Sequence, residues 1–259
     1  MSTDGLGNAP FNIWDGVYES FQAALANANG PGFSGDTYLM RSLAVANECF
    51  ESLNAGKPIP HFHKQRSNLL PPTVALLLGN NNNLGVLDFG GGLGIGYMTL
   101  IESIPNASGR LDYTIVEVPA VCKIGATVVG EAVTYLSAIP SSGVFDVVHA
   151  ASSLQYVEHW QALVGGLASL APKYFLLSDV FAGAINSFVT LQNYYESRIP
   201  HWVLNLDELL ETFDQCGYRL AMKSYATSRR LKAEDILPTD NFPEPLRLHE
   251  SLHLLFQKK

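Results

Sequence analysis

The sequence predicts an α/β fold: a seven-stranded, mostly parallel sheet with helices on both faces and an N-terminal helical cap. From residue 84 onward, short apolar runs alternate with helix-compatible segments, which is typical of βαβ units. The first run, 85–89, leads directly into a loop that holds five glycines. Glycines between a strand and a helix let the backbone approach a ligand closely. A chain of 259 residues is long enough to bury one full core of this type.

Residues 1–83 are predicted to form the cap. The aromatic segment 11–21 has too many large apolar side chains for a free tail, so we expect it to pack on the protein body. Asp36 is expected to cap a helix that runs to about residue 53. Pro71 and Pro72 can open a second helix over 73–78, which Gly79 ends. The expected apolar stripe of the first helix consists of Leu39, Leu43, Ala46 and Phe50.

Residues 84–259 are predicted to form the core. The expected strands are 85–89, 112–117, 132–136, 144–149, 173–179, about 217–226 and about 247–256. The expected helices are 95–104, 120–130, 157–170 and 206–216. The last two strands follow each other without a helix, which predicts an antiparallel pair at the end of the sheet. In open α/β sheets a ligand binds beyond the carboxyl ends of the strands, so site residues are sought in the loops that follow them.

The glycine loop has the spacing D-x-G-x-G-x-G. This is the motif of class I S-adenosylmethionine (SAM) dependent methyltransferases, which the segment resembles. The dinucleotide pattern G-x-G-x-x-G fails because Ile95 or Tyr97 stands where its last glycine is needed. The resemblance implies a Rossmann-like sheet of order 3-2-1-4-5-7-6, with SAM as methyl donor and S-adenosylhomocysteine (SAH) as product. The loop residues that it assigns to the cofactor are Asp88, Gly90, Gly91, Gly92 and Gly94.

Three further residues complete the cofactor site that the resemblance implies. Glu117 ends the second strand and would accept hydrogen bonds from both ribose hydroxyls, although an ordinary exposed glutamate also explains it. Many class I enzymes have an acidic residue after the third strand, where adenine binds. This chain has none there, so Ser137 or backbone groups would take that role. Ser152, in the loop after the fourth strand, is also expected to contact the cofactor. Asp88 would brace the loop or reach the amino group of SAM.

Polar and aromatic residues after the fourth and fifth strands are candidates for binding a methyl acceptor. A packing role explains each of them, taken singly, at least as well. His201 is the favoured general base because imidazole titrates near neutral pH and this residue lies in an aromatic, pocket-like segment. The other candidate bases are His149 and His159. The candidate substrate-binding residues are Gln155, Tyr156, Asp179, Tyr194 and Trp202.

A narrower resemblance covers nearly the whole chain. It is to a bacterial family of SAM-dependent methyltransferases whose substrate is unassigned, so it implies methyl transfer without naming an acceptor. The segments that carry it are 14–21, 86–91, 115–117, 152–156 and 201–202.

The charge and composition of the chain limit the classes of partner that it can bind. A formal net charge of −8 argues against a nucleic-acid backbone as ligand, and the basic clusters at 61–66 and 229–232 are short enough to be solvated loops. No apolar run approaches the ~20 residues of a membrane span. The three cysteines lack a C-x-x-C pairing and read as free thiols. We therefore expect a cytoplasmic protein that contacts neither membrane nor nucleic acid, and the sequence is compatible with a homodimer.

One segment matches a zinc-binding motif. His249 to His253 matches H-E-x-x-H, but that motif requires a helix and the segment is predicted to be a strand, so no metal is expected.

The sequence thus predicts a SAM-dependent methyltransferase that transfers a methyl group to oxygen or nitrogen of a small molecule. The alternative is a non-catalytic SAM- or SAH-binding regulatory or scaffold protein, because a fold does not dictate an activity. A nucleotide-sugar or NAD enzyme is disfavoured by the failed dinucleotide spacing.

Overall fold

The structure, a computed structural model, describes residues 11–65, 69–226 and 236–259. The predicted basic cluster 229–232 and the last residue of the cluster 61–66 lie outside the described residues. The strands are β1 (Trp14–Tyr18), β2 (Leu84–Phe89), β3 (Leu111–Val116), β4 (Val133–Leu136), β5 (Val147–Ala151), β6 (Tyr174–Val180), β7 (Ala182–Gly183), β8 (Phe188–Tyr194), β9 (Ser197–Asn205), β10 (Tyr218–Ala226) and β11 (Ser251–Lys258). The helices are α1 (Phe21–Leu25), α2 (Asp36–Asn54), α3 (His61–Lys64), α4 (Leu70–Leu78), α5 (Ile95–Ser103), α6 (Pro119–Val129), α7 (Trp160–Ala168) and α8 (Leu206–Gln215).

The main sheet has seven strands in the order β10-β11-β6-β5-β2-β3-β4. Strands β2 to β6 run parallel, and β11 is antiparallel to both β6 and β10. Numbered by their succession in the core, these strands have the predicted order 3-2-1-4-5-7-6, which is thereby confirmed. The order reverses beside β2, whose neighbours are β3 and β5. The loop after β2 therefore opens at the position where such sheets bind ligands.

Several predicted boundaries were wrong by a few residues. The fourth core strand begins at Val147 rather than 144, because Val144 is 88% exposed and belongs to the preceding loop. The helix predicted over 157–170 is shortened to α7, after a 3₁₀ turn at Leu154–Tyr156. The last strand is 251–258 rather than 247–256. In α2 the apolar stripe continues through buried Cys49, whereas Phe50 is exposed.

A second sheet, of order β1-β8-β9-β7, was not predicted. Strands β8 and β9 form a hairpin across Tyr195 and Glu196, and β1 adds to β8 with Trp14 opposite Gln192. Tyr195 has a φ of 50°, so the turn uses a left-handed residue that is not glycine. The segment before residue 84 thus holds a strand as well as helices. Residues 14–18 of the aromatic segment pack on the body by pairing with β8, and α2 contacts α5 and α6.

None of the helices in the described ranges combines the length and the apolar character that a membrane span needs.

Candidate cofactor and acceptor sites

The glycine loop is shaped by positive φ angles at Gly90 (70°), Gly92 (58°) and Gly94 (86°). A Cβ on Gly90 would lie 2.4 Å from Cβ of Ser153, whose hydroxyl donates to the carbonyl of Phe89. The loop after β2 therefore touches the loop after β5 with no room for a side chain. Gly94 then precedes α5, whose first N–H groups face the loop.

Asp88 is the centre of a buried hydrogen-bond chain beneath the loop. Its Oδ2 accepts from the hydroxyl of Tyr113 at 2.6 Å, and its Oδ1 lies 2.8 Å from Nδ1 of His149. Because a carboxylate only accepts, Nδ1 carries the proton. Nε2 of His149 lies 3.1 Å from Oγ of Ser178. Burial, followed by the charge of Asp88, raises the pKa of Tyr113 well above its ordinary value.

This hydrogen-bond chain bears on the predicted roles of Asp88 and His149. Asp88 lies directly beneath the loop, since a Cβ on Gly91 would lie 2.6 Å from its Oδ2, and this position is compatible with its predicted role of bracing the loop. Both ring nitrogens of His149 are engaged by Asp88 and Ser178, so the geometry favours a structural role for this candidate base.

Glu117 follows β3 and is half-buried beside the glycine loop, where it contacts Gly92 of the first cavity's lining without itself lining either cavity described below. One carboxylate oxygen accepts from the N–H of Gly92 at 3.2 Å and the other from the N–H of Val118 at 2.8 Å. Burial raises the pKa of Glu117, and the two backbone N–H groups oppose that rise. Each oxygen keeps a lone pair for a further donor.

The region after β4 was expected to contact the adenine of the cofactor through Ser137 or backbone groups. Ser137 is exposed and lines neither of the cavities described below. Tyr135, two residues earlier, instead reaches the loop, and its hydroxyl donates to the carbonyl of Gly92 at 3.3 Å. Sequence reasoning missed Tyr135 because an aromatic residue within a strand reads as core.

A first cavity, of about 360 Å³, opens directly on the glycine loop. Its floor includes Asp88, His149 and the backbone of residues 90–92. Its roof comes from the cap, which sequence reasoning did not place there. The spacing of Tyr38, Arg41 and Val45 on one face of α2 was the signal that could have found them. The described cap residues that line this cavity include Tyr38, Arg41, Ser42, Phe62, His63 and Gln65.

A second cavity, of about 240 Å³, adjoins the first. Tyr194 lines both, and the consecutive residues Ala151 and Ser152 line the first and the second respectively. Four other predicted residues meet in this second cavity: Gln155, Tyr156, Asp179 and His201. The structure adds Trp14 of β1 and Gln192 of β8, which sequence reasoning missed because both depend on the unpredicted second sheet.

His201 is buried among aromatic rings. Its ring centroid lies 4.7 Å from that of Phe181, 5.1 Å from Tyr156 and 5.8 Å from Trp14. Trp202 points to the other side of β9, because side chains alternate along a strand. There it packs on Phe21 and its indole N–H donates to the carbonyl of Glu158. Trp202 therefore lies outside the cavity, contrary to expectation.

His159 is the third candidate base. Its side chain is 80% exposed beside Glu158 and lines neither cavity.

Asp179 is the second-last residue of β6 and Ser152 directly follows β5, and both have left-handed backbones, with φ of 54° and 51°. The hydroxyl of Ser152 donates to one oxygen of Asp179 and that of Ser251 to the other, each at 2.5 Å. Non-glycine residues in this conformation cost energy and concentrate at functional sites. Here the two hydrogen bonds stabilise the strained backbone and fix the position of the Asp179 carboxylate.

The H-E-x-x-H segment does not form a helix. His249 precedes β11 and His253 lies within it, where burial lowers the pKa of its imidazole. Among the described residues, no three His, Cys, Asp or Glu side chains are grouped as metal ligands.

Two solved structures resemble this one over most of their length. The 1,6-didemethyltoxoflavin-N1-methyltransferase of Burkholderia thailandensis, with bound 1,6-didemethyltoxoflavin and SAH, has a TM-score of 0.52 at 16% identity, covering 85% of this chain and 90% of its own. The magnesium protoporphyrin IX methyltransferase of Synechocystis, with bound SAH, has a TM-score of 0.52 at 15% identity, covering 88% and 96%. The chain has the fold of SAM-dependent methyltransferases.

This methyltransferase fold is recognised through structure alone. No protein-family model matches the sequence, and no curated protein matches it. At such low identity the likeness confirms the predicted fold, while the roles of individual residues stay predictions.

Proposed function

We propose that this protein is a SAM-dependent methyltransferase that acts on a small molecule. The observation that carries the proposal is the first cavity, which opens on the glycine loop at the point where the strand order reverses. The glycine loop fits the cofactor, because it leaves no room for a Cβ on Gly90 and so brings backbone groups to the cavity surface. The fold and the SAH-bound relatives support the same cofactor.

SAM supplies a methyl group already activated by its sulfonium. In this proposal the backbone of the glycine loop would hold the methionyl part of SAM, Glu117 would bind the ribose hydroxyls and Arg41 would bind the carboxylate. Holding an acceptor in line with the methyl group can supply ~7–11 kcal/mol of the barrier. The second cavity is the proposed acceptor site because it shares Tyr194 with the first.

The acceptor is proposed to be a small molecule rather than a nucleic acid. The second cavity is small, and the chain carries a formal net charge of −8. The free cysteines of the described chain, Cys49, Cys122 and Cys216, support the proposed cytoplasmic location.

Arg41→Met tests the proposed orientation of the cofactor. The guanidinium lies 5.0 Å from the ring centroid of Tyr195 on the cavity roof, where a carboxylate could pair with it. Loss of a charged hydrogen bond of ~1.5–3 kcal/mol should weaken SAH binding about ten- to hundred-fold. Methylthioadenosine, which lacks the amino-acid group, should bind both proteins equally. Calorimetry gives both affinities.

The matched control for this variant is Arg219→Met on the edge strand β10, which should leave SAH affinity unchanged. Equal losses for SAH and methylthioadenosine in Arg41→Met would show that Arg41 supports the cavity generally and does not bind the carboxylate.

His201→Ala tests the proposed general base. Turnover, measured as SAH release with an accepted substrate, should fall by ~10²–10⁴ while SAH affinity stays intact. His201→Phe should behave in the same way, because it keeps the ring packing against Phe181 and Tyr156 but cannot take a proton. Full turnover in His201→Phe would remove His201 from the mechanism.

A further inference from the structure

The second cavity restricts which acceptors can bind, and this inference rests on the proposed function. Its walls are rich in aromatic rings: Trp14, Tyr156, Phe181 and Tyr194 all line it, with His201 between three of them. Aromatic rings pack best against another ring in edge or offset contact. The walls therefore favour an occupant that carries an aromatic ring.

The described residues that line the second cavity carry formal charge of one sign only. Among the described residues that line it there is no lysine and no arginine, and Asp179 is the only carboxylate. Two serine hydroxyls donate to the oxygens of Asp179, an arrangement that suits its ionised form. An anionic ligand would lose its hydration here without gaining a counter-charge from the described lining residues, and it would also face Asp179. The cavity therefore selects against carboxylic acids and phenolates.

Two buried polar atoms on the cavity walls have no hydrogen-bond partner among the described residues. They are the indole N–H of Trp14 and Oε1 of Gln155, whose amide nitrogen donates to the carbonyl of Asp179 at 3.3 Å. Buried polar groups are nearly always paired, so an unpaired donor and an unpaired acceptor indicate what a ligand must bring. A matching ligand has a hydrogen-bond acceptor for Trp14 and an N–H for Gln155.

We propose that the acceptor is an uncharged aromatic amine or N-heterocycle and that the methyl group goes to nitrogen. The nitrogen lone pair forms the bond to the methyl carbon while the carbon–sulfur bond breaks and its electron pair stays on sulfur. Positive charge thereby passes from sulfur to nitrogen. An amine nitrogen gives up a proton to His201 as the new bond forms, whereas a pyridine-type ring nitrogen has no proton to lose and keeps the charge. Asp179 stabilises that developing positive charge, whereas it would destabilise an anionic oxygen nucleophile.

Matched fragments test the proposal on the full chain loaded with SAH. Aminoquinolines are compared with quinoline carboxylic acids substituted at the same ring position, by calorimetry and ligand-observed NMR. We expect the amines to bind at least ten-fold more tightly. Asp179→Asn should narrow that gap, and asparagine tolerates the left-handed backbone at this position. Asp112→Asn, which removes an exposed carboxylate on β3, should preserve it.

A second variant keeps the proposal testable if Asp179→Asn fails to fold. Trp14→Phe removes a single hydrogen bond, so it should weaken the binding of aminoquinolines about ten-fold. The binding of aminonaphthalenes, which lack the ring nitrogen, should be unchanged. Equal weakening of both would overturn the assigned donor.

Carboxylates that bind as tightly as the amines, or no binding by either class, would overturn the proposed acceptor class. The proposed function fails separately: a protein that binds aminoquinolines in an Asp179-dependent manner but does not bind SAH would contradict the cofactor and leave this inference standing.

Discussion

Gly90→Ala is expected to weaken SAH binding by at least about 100-fold. Alanine at a φ of 70° costs ~1–2 kcal/mol of backbone strain. Its Cβ would also lie 2.4 Å from Cβ of Ser153, so the loops after β2 and β5 must separate. Because the first cavity lies on this loop, the substitution should disrupt the backbone surface that binds the cofactor. Calorimetric titration with SAH measures the loss.

Gly165→Ala is the matched control. Gly165 lies inside α7, its φ is not in the left-handed range, and a Cβ there meets no atom within 4 Å. Alanine should stabilise the helix by roughly 0.5–1 kcal/mol and leave SAH affinity unchanged. Unaltered SAH binding in Gly90→Ala would mean that the glycine loop does not hold the cofactor.

Asp88→Ala is expected to destabilise the protein by about 3–5 kcal/mol, the largest stability loss among the polar side chains considered. The substitution leaves the hydroxyl of Tyr113 and Nδ1–H of His149 buried without their acceptor. A loss of this size lowers the unfolding midpoint by roughly 10 °C in a domain of this length. Urea unfolding followed by circular dichroism measures the free energy of unfolding.

Asp112→Ala serves as the control, since Asp112 lies exposed on the neighbouring strand β3 and should change stability by less than about 0.5 kcal/mol. The double variant of Asp88 and His149 should cost less than the sum of the two single changes, because the two side chains share one hydrogen bond. An Asp88→Ala protein within 1 kcal/mol of the control would show that the buried chain contributes little.

The main sheet could be predicted because its signals are local. Most core strands are short apolar runs bounded by turn residues, and the spacing of its glycines is enough to identify the glycine loop. Glu117 was accessible for the same reason, since a carboxylate directly after an apolar strand must meet solvent, a ligand or a backbone donor. The structure gives it two such donors, the N–H groups of Gly92 and Val118.

The second sheet could not be predicted because its pairing is non-local. Trp14 pairs with Gln192, a residue far from it in sequence, and no local pattern in either segment predicts that register. The hairpin between β8 and β9 also lacks the Asn-Gly or Gly-Gly turn that usually marks one, since Tyr195 takes the left-handed position. Without this sheet, neither Trp14 nor the outward direction of Trp202 could be inferred.

The acceptor residues fall between these two cases. The sequence indicated Gln155, Tyr156 and Asp179 because they follow strand ends, and the structure brings them together in one cavity. The hydrogen bond from Ser251 to Asp179 required the last strand to lie beside β6, a contact between residues far apart in sequence. Spacing can therefore nominate site residues, whereas their partners depend on the fold.

The central claim is that the first cavity is a SAM site, and calorimetric titration of the purified protein with SAH and with NAD tests it most directly. We expect one SAH to bind per chain and NAD not to bind. Glu117→Ala should abolish or strongly weaken SAH binding, because the ribose loses its carboxylate, while Glu131→Ala, which removes an exposed glutamate, should retain it. Binding of NAD without binding of SAH would contradict the account.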